Sequence, residues 1–179
     1  MQRDVAMRSP SMSSMVRLWC VVFCAGCSFN DPQQQAISTA RALGAVVRID
    51  IRGDAAGLDL GPSRDQVRGL ELAARLPSLK SLVVGRDFSD QSADRLSGLV
   101  TLESLDLSYT QPGPAVYAVL KGLPHLRFLS LNGVTLTSAE VAALGELRQL
   151  TSLSLVAAQL PAGALEELQR AHPQWLLAR

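Results

Sequence analysis

The sequence has few cysteines, histidines and aromatic residues, and this scarcity limits the sites that it can build. Its three cysteines, Cys20, Cys24 and Cys27, all lie near the amino terminus, so residues 28–179 contain none and cannot form a disulfide. Only two histidines occur, and aromatic residues make up 4% of the chain. Since apolar residues still account for 47% of the sequence, we expect one modest domain with a core of Leu, Val and Ala.

An excess of charge of one sign is also missing. The chain has 17 basic and 16 acidic residues and a formal net charge of +1. The basic residues Arg3, Arg8 and Arg17 lie in the first 27 residues, which leaves the rest of the chain slightly acidic. A near-neutral domain offers no electrostatic footprint for phosphate groups, so we expect no nucleic-acid partner.

Apolar runs long enough to span a bilayer as a helix, which takes about 20 residues, are absent as well. The most apolar run, residues 18–25, follows Arg17 and precedes Gly26 and Cys27. A basic flank, a short apolar segment and small residues at its end are typical of a signal peptide. The pattern is the same whichever methionine starts the chain: Met1, Met7, Met12 or Met15.

The end of this segment, Cys24-Ala25-Gly26-Cys27, resembles the lipobox of bacterial lipoproteins, although Cys24 stands where that family usually has Leu. The resemblance implies that Cys27 receives diacylglycerol and becomes the new amino terminus, and that the protein is exported to the cell envelope. A diacyl group supplies more than one acyl chain and so gives stable membrane anchorage. A general signal peptidase that cuts near Gly26 would instead release a soluble secreted or periplasmic protein, and both alternatives stay open, as does the choice of inner or outer membrane.

The rest of the chain repeats itself. The segments LPSLKSLVV, LVTLESLDL, LPHLRFLSL and LRQLTSLSL start at Leu76, Leu99, Leu123 and Leu147, which lie 23, 24 and 24 residues apart. Residues 57–60, Gly-Leu-Asp-Leu, occupy the matching place one step upstream. Self-similarity at such a period predicts an array of stacked structural units.

Leu at the first, fourth, seventh and ninth positions of these segments, with Val84 in place of the last Leu in the first segment, resembles the leucine-rich repeat family. The resemblance implies an α/β fold: a leucine-rich repeat solenoid of about five repeats, with a parallel sheet on the concave side and short helices on the convex side. The family often has Asn three residues after the last strand leucine, where this chain has none, and the bacterial variant of the repeat is therefore expected. The column reads Ser63, Asp87, Thr110, Val134 and Ala158.

Local patterns agree with these units. Leucines alternate with polar residues in each segment, which predicts strands with Leu82, Leu105 and Leu129 facing inward, and periods of three or four in between predict helices. Ser63-x-x-Gln66 and Thr137-x-x-Glu140 are capping-box patterns that predict two helix starts. We expect Trp175 to cover the last layer of the core.

At the other end, residues 33–43 have helical spacing and stop at Gly44, and a strand-like segment follows at residues 46–49. These patterns divide the chain into a signal peptide (residues 1–26), a tether (27–35), an N-terminal cap (36–56) and a repeat domain (57–179).

The residues between the inward leucines would form the concave face. This face is small and rich in hydroxyl groups, and Phe128 is its one large anchor. It is either a solvated sheet or a weak binding face, and the candidate binding residues are Asp59, Asp106, Ser108, Phe128, Ser130, Asn132, Ser152 and Ser154.

The same face lacks the groups that catalysis needs. Asp59 and Asp106 would lie two strands apart, roughly 10 Å, and so would His125 and His172, which excludes a carboxylate dyad and a shared metal. The serines have no neighbouring His or Lys to activate them. We therefore expect neither catalytic residues nor a cofactor nor a metal site. We expect a monomeric, non-catalytic protein that contacts a protein or an envelope polymer, or else a soluble scaffold or spacer without a ligand.

Overall fold

The computed structural model describes residues 31–179, so the expected signal peptide and Cys27 lie outside the described residues. In chain order the elements are α1 (Pro32–Ala42), β1 (Val46–Ile49), β2 (Ala55–Asp59), α2 (Gln66–Ala73), β3 (Ser81–Val83), a 3₁₀ helix (Asp90–Leu96), β4 (Ser104–Asp106), α3 (Pro114–Lys121), β5 (Phe128–Ser130), α4 (Ser138–Leu144), β6 (Ser152–Ser154), α5 (Ala164–Ala171) and β7 (Leu176–Ala178). Across this range none of the helices has the length and apolar character needed to cross a membrane.

The seven strands form one sheet in the order of the sequence. Strands β2 to β7 run parallel, and corresponding leucines pair in register, as Leu82 does with Leu105 and Leu105 with Leu129. Each helix contacts the next one along the chain, from α1 to α5, which makes a second layer. The repeat therefore appears as a strand followed by a helical segment, with one helical segment in the 3₁₀ conformation.

The leucines of the repeat fill the space between the two layers. The inward strand positions Leu58, Leu82, Leu105, Leu129 and Leu153 are all buried. Two aromatic rings, Phe88 and Tyr117, are buried beside them. Burial of an alternating leucine column drives the sheet and the helix row together, since each buried Leu contributes about 1.5–3 kcal/mol of transfer free energy.

Helices begin near both expected starts, but one of the two expected capping boxes is present and the other is not. Thr137 and Glu140 form the complete capping box of α4, with the Thr137 amide donating to Glu140 Oε2 at 2.7 Å. Helix α2 is capped instead by Asp65, whose Oδ1 accepts from the Arg68 amide at 2.9 Å. Gln66 cannot close a box with Ser63 because its Oε1 accepts from the distant Gly85 amide.

The two ends of the sheet differ. At the amino-terminal end α1 covers the core, and β1 pairs with β2 in the antiparallel direction, whereas β2 and β3 are parallel. Strand β2 begins at Ala55, so the expected boundary at residue 56 falls within a strand. At the other end the Trp175 ring is 6% exposed and stacks on His172 with ring centroids 4.0 Å apart, and its expected place in the core is confirmed.

Candidate binding face and the edge of the sheet

The residues that alternate with the buried leucines form the face of the sheet that the helices leave uncovered, which we call the open face. Strand register aligns the expected columns: Ser81, Ser104, Phe128 and Ser152 follow one another, as do Val83, Asp106, Ser130 and Ser154. Most of these residues are half-buried, and Phe128 is 53% exposed. The structure therefore brings the expected face together in the expected register.

Four of the candidate residues are hydrogen-bonded to one another. Ser108 Oγ lies 2.8 Å from Ser130 Oγ, and Asn132 Nδ2 donates to Ser130 Oγ at 2.9 Å. On its other side Asn132 Oδ1 accepts from Ser154 Oγ at 2.7 Å and from the Val156 amide at 2.9 Å. Because this network spans β4, β5 and β6, it ties neighbouring repeats together, and much of its hydrogen-bonding capacity is used internally.

The two candidate aspartates accept hydrogen bonds from backbone amides at the ends of their strands. Asp59 Oδ1 accepts from the Gly61 amide and Asp106 Oδ1 from the Ser108 amide, each at 2.8 Å. An aspartate that accepts from the backbone two residues later is a local turn device. Asp106 also lines a cleft at the end of its strand.

Apolar and charged side chains lie at different ends of the open face. Phe128 and the 73% exposed Leu176 flank Ser152, whose Oγ donates to the Leu176 carbonyl. Toward the amino-terminal end lie Asp106 and Arg48, whose Nη2 donates to Ser81 Oγ at 2.9 Å. One half of the face therefore offers apolar contact and the other half offers charge.

Sequence reasoning missed the loop edge, where the strands end. Three successive turns there place a residue at positive φ: Tyr109 (59°), Gly133 (66°) and Ala157 (56°). In each turn the next amide donates to the carbonyl three residues back, as Thr110 does to Leu107, which makes these type II turns. The type requires positive φ at its third position, where Gly is the unstrained residue.

The turn after β3 starts one residue later along the chain than the other three turns do. Its hydrogen bond runs from the Phe88 amide to the Gly85 carbonyl, and no residue in it has positive φ. Asp87 is therefore exposed, whereas Thr110 and Val134 are buried at the positions that the sequence aligned with it. The spacing of 23 rather than 24 residues between the first two segments marks this repeat as irregular but does not locate the offset turn.

This offset turn contains Arg86, which lies beside Tyr109. The guanidinium carbon of Arg86 lies 5.3 Å from the centre of the Tyr109 ring. The opposite neighbour of the ring is Gly133, where an added Cβ would lie 2.5 Å from two ring carbons. Tyr109 is thus held between an arginine and a glycine of adjacent turns, and it is 57% exposed.

Two clefts, each of about 490 Å³, open on either side of this pair. The first, the arginine cleft, is lined by Arg86, Tyr109, Thr110, Gln111, Pro112, Gly133 and Thr135. The second, the aspartate cleft, shares Arg86 and Tyr109 and adds Asp87 and Asp106 among its lining residues. The two clefts therefore share Arg86 and Tyr109, and only the aspartate cleft also has acidic side chains.

Three titratable residues outside the clefts are buried or paired with groups of the protein itself. Burial raises the pKa of the Tyr117 phenol, with Glu140 and Asp90 adding to the effect, and its hydroxyl has no partner among residues 31–179. A hydrogen bond from Lys121 holds the pKa of Glu146 below its usual range. His172 Nε2 lies 2.6 Å from the Gly145 carbonyl. Within the described residues no group of three or more His, Cys, Asp or Glu is arranged to hold a metal ion.

Comparison with known proteins gives a fold but no close relative. No protein-family model matches the chain, and no curated protein matches it in sequence. Among solved structures, the ectodomain of the Arabidopsis receptor kinase HAESA, in complex with an N-terminally extended IDA peptide hormone, matches with a TM-score of 0.51 and 22% identity. The match covers 76% of this chain and 27% of that ectodomain.

Two further structures are similar at lower scores. HAESA in complex with IDA and the co-receptor SERK1 matches with a TM-score of 0.49 and 21% identity, over 72% of this chain and 26% of that one. The Chaetomium Mex67:Mtr2 subunits match with a TM-score of 0.45 and 16% identity, over 79% and 87%. The chain spans about a quarter of the length of the receptor ectodomains. The first likeness, together with the sheet and helix order, establishes a leucine-rich-repeat-like α/β fold.

Proposed function

We propose that this chain is a non-catalytic, exported leucine-rich repeat solenoid of about five repeats that presents the open face of its sheet to a protein or envelope polymer. The observation that carries the proposal is the pair of large apolar side chains, Phe128 and Leu176, that remain exposed on strands whose alternate residues form the core. Exposed apolar groups rimmed by polar residues are typical of interaction sites. The proposed protein is a monomer, and it binds neither nucleic acid nor a cofactor.

A scaffold or spacer without a ligand is the second candidate. Its supporting observation is the hydrogen-bond network of Ser108, Ser130, Asn132 and Ser154, which satisfies much of the polar surface of the open face internally. Groups already paired with one another gain less from a partner than unpaired groups do.

A capture experiment separates the two candidates. The full chain is immobilised, and bound material from extracts of the cells that produce it is identified by mass spectrometry for the wild type, Phe128→Ser and Asp106→Asn. Asn at position 106 keeps an oxygen for the Ser108 amide and removes only the charge. Val67→Ser is the matched control, because Val67 is 45% exposed but lies on α2.

Binding through the open face predicts material that is captured by the wild type and Val67→Ser and reduced for Phe128→Ser. Equal capture by all variants would contradict the proposal and support the spacer. Circular dichroism and the free energy of unfolding confirm that each variant is folded.

We also propose membrane anchorage through a diacylated Cys27, with residues 27–35 as the tether. Its support is the sequence Cys24-Ala25-Gly26-Cys27 after a short apolar segment. The intact mass of the mature amino terminus after membrane fractionation tests it, with Cys27→Ala as control. A diacyl mass that is lost in Cys27→Ala supports the anchor, whereas an unmodified soluble chain cut near Gly26 would refute it.

A further inference from the structure

Arg86 is a cation without an anion. Lys80 pairs with Glu103 at 2.8 Å, Arg95 with Glu71 at 3.8 Å, and Lys121 with Glu146. Among residues 31–179, by contrast, no carboxylate or carbonyl pairs with the Arg86 guanidinium, which lies over the Tyr109 ring. Its N–H donors are therefore available to an external acceptor.

The arginine is also held in place. The Tyr109 ring that supports it lies against Gly133 and is fixed by a type II turn. A cation within about 6 Å of a ring centre is attracted by the negative face of the ring. Contact with the ring restricts the arginine side chain, which reduces the conformational entropy that it loses when a ligand binds.

The lining of the two clefts defines the charge of the ligand. The arginine cleft contains one charged side chain, Arg86, together with polar groups of Thr110, Gln111 and Thr135. A planar guanidinium next to such groups suits a carboxylate, which it can bind through two parallel hydrogen bonds.

The aspartate cleft has the opposite preference. Asp87 has no hydrogen-bond or ion-pair partner within the described part of the chain, and Asp106 uses one of its oxygens for the Ser108 amide. These carboxylates attract a cationic group and repel an anionic one. A polyanion laid across both clefts would therefore be disfavoured at the second one.

We propose that the loop edge at Arg86 and Tyr109 binds a peptide segment in which an acidic residue lies close to a basic one, with the carboxylate on Arg86 and the cation beside Asp87 and Asp106. The proposal rests on the proposed binding function and adds a class of partner to it. In an extended peptide, residues two apart project from the same side and lie about 7 Å apart, which suits two clefts that share a wall.

The test uses the full chain and synthetic peptides blocked at both ends. The probe is EAKAE, and the matched controls are QAKAQ, which lacks the carboxylates, and EAQAE, which lacks the cation. Binding is measured by isothermal titration at low and at moderate salt for the wild type and Arg86→Gln. Arg75→Gln is the control variant, because Arg75 is also exposed but lies in the loop after α2.

The wild type should bind EAKAE more tightly than either control peptide, and more weakly at the higher salt concentration. Arg86→Gln should weaken EAKAE binding about tenfold, because a charge-assisted pair is lost, whereas Arg75→Gln should leave it within about twofold. Equal binding by wild type and Arg86→Gln, equal affinity for the three peptides, or no binding of EAKAE overturns the proposal.

These results are separable from those of the open-face experiment. Arg86→Gln does not alter Phe128, and the peptides do not depend on capture from an extract. If EAKAE fails while capture through Phe128 persists, the edge site alone is refuted; if both fail, the proposed binding function fails as well.

Discussion

Residue type is constant from repeat to repeat on the buried side of the sheet and changes in every repeat at its loop edge. The inward column has the same residue in five consecutive strands, from Leu58 to Leu153, and all five are buried. The turn column has four different residues in four consecutive turns: Arg86, Tyr109, Gly133 and Ala157. A close-packed layer accepts one side-chain volume, whereas a turn constrains mainly the backbone, so the edge is where side chains are free to serve recognition.

The largest loss of stability should follow from a substitution in the buried leucine column. Leu129→Ala removes a buried side chain from the middle of the leucine column and should lower the free energy of unfolding by about 2–5 kcal/mol through the cavity that it leaves. Phe128→Ala changes the neighbouring, exposed residue and should cost far less. Urea unfolding of both variants measures the difference, and equal losses would show that the inward register is wrong.

A smaller loss is expected from the open face. Asn132→Ala removes hydrogen bonds to Ser130, Ser154 and the Val156 amide and should lower the free energy of unfolding by about 1–3 kcal/mol. The control is Ser152→Ala, because Ser152 Oγ donates one hydrogen bond, to the Leu176 carbonyl. Chemical unfolding of both variants checks the order, and a loss for Asn132→Ala no greater than for Ser152→Ala would argue against the network.

At the loop edge, Gly133→Ala tests the close approach of the Tyr109 ring. An alanine there has positive φ, which costs about 1–2 kcal/mol, and its Cβ would also collide with the ring. In a Tyr109→Ala background the collision is absent, so the same substitution should cost less. A double-mutant cycle of unfolding free energies measures this coupling, and an equal cost in both backgrounds would contradict the contact.

The smallest expected change is an increase in the free energy of unfolding. Ala157→Gly relieves the positive φ of Ala157 in a turn of the same type and should raise the free energy of unfolding by about 0.5–1 kcal/mol. Ala158→Gly, one residue later and outside the positive-φ position, is the matched control and should give no gain. Thermal unfolding compares the two, and destabilisation by Ala157→Gly would refute the assignment of strain to this turn.

The residues on the buried side of the sheet were predictable from the sequence, but the contacts at its loop edge were not. A leucine every second residue at a period of 24 determines which side chains are buried, and the Thr137–Glu140 capping box depends on residues three apart, so both are local or periodic signals. The Ser63–Gln66 box failed because Gln66 hydrogen-bonds to Gly85 in the next repeat, a contact that no local pattern encodes.

The columns of the open face were likewise predictable, but not what their side chains do. Ser108, Ser130, Asn132 and Ser154 read as a row of independent polar groups, and the structure joins them into one network. Arg86 and Tyr109 lie 23 residues apart, and they meet where one turn is offset by one residue from the next, an arrangement that no local sequence pattern encodes.

We propose that the loop edge, which varies from repeat to repeat, adds a peptide-binding site to a sheet whose buried side is uniform. The most direct test is amide chemical-shift mapping of the full chain during titration with EAKAE. The account predicts the largest shifts in the turns that contain Arg86, Tyr109 and Gly133, with little change in the helix row. Shifts concentrated on α3 and α4 would contradict it.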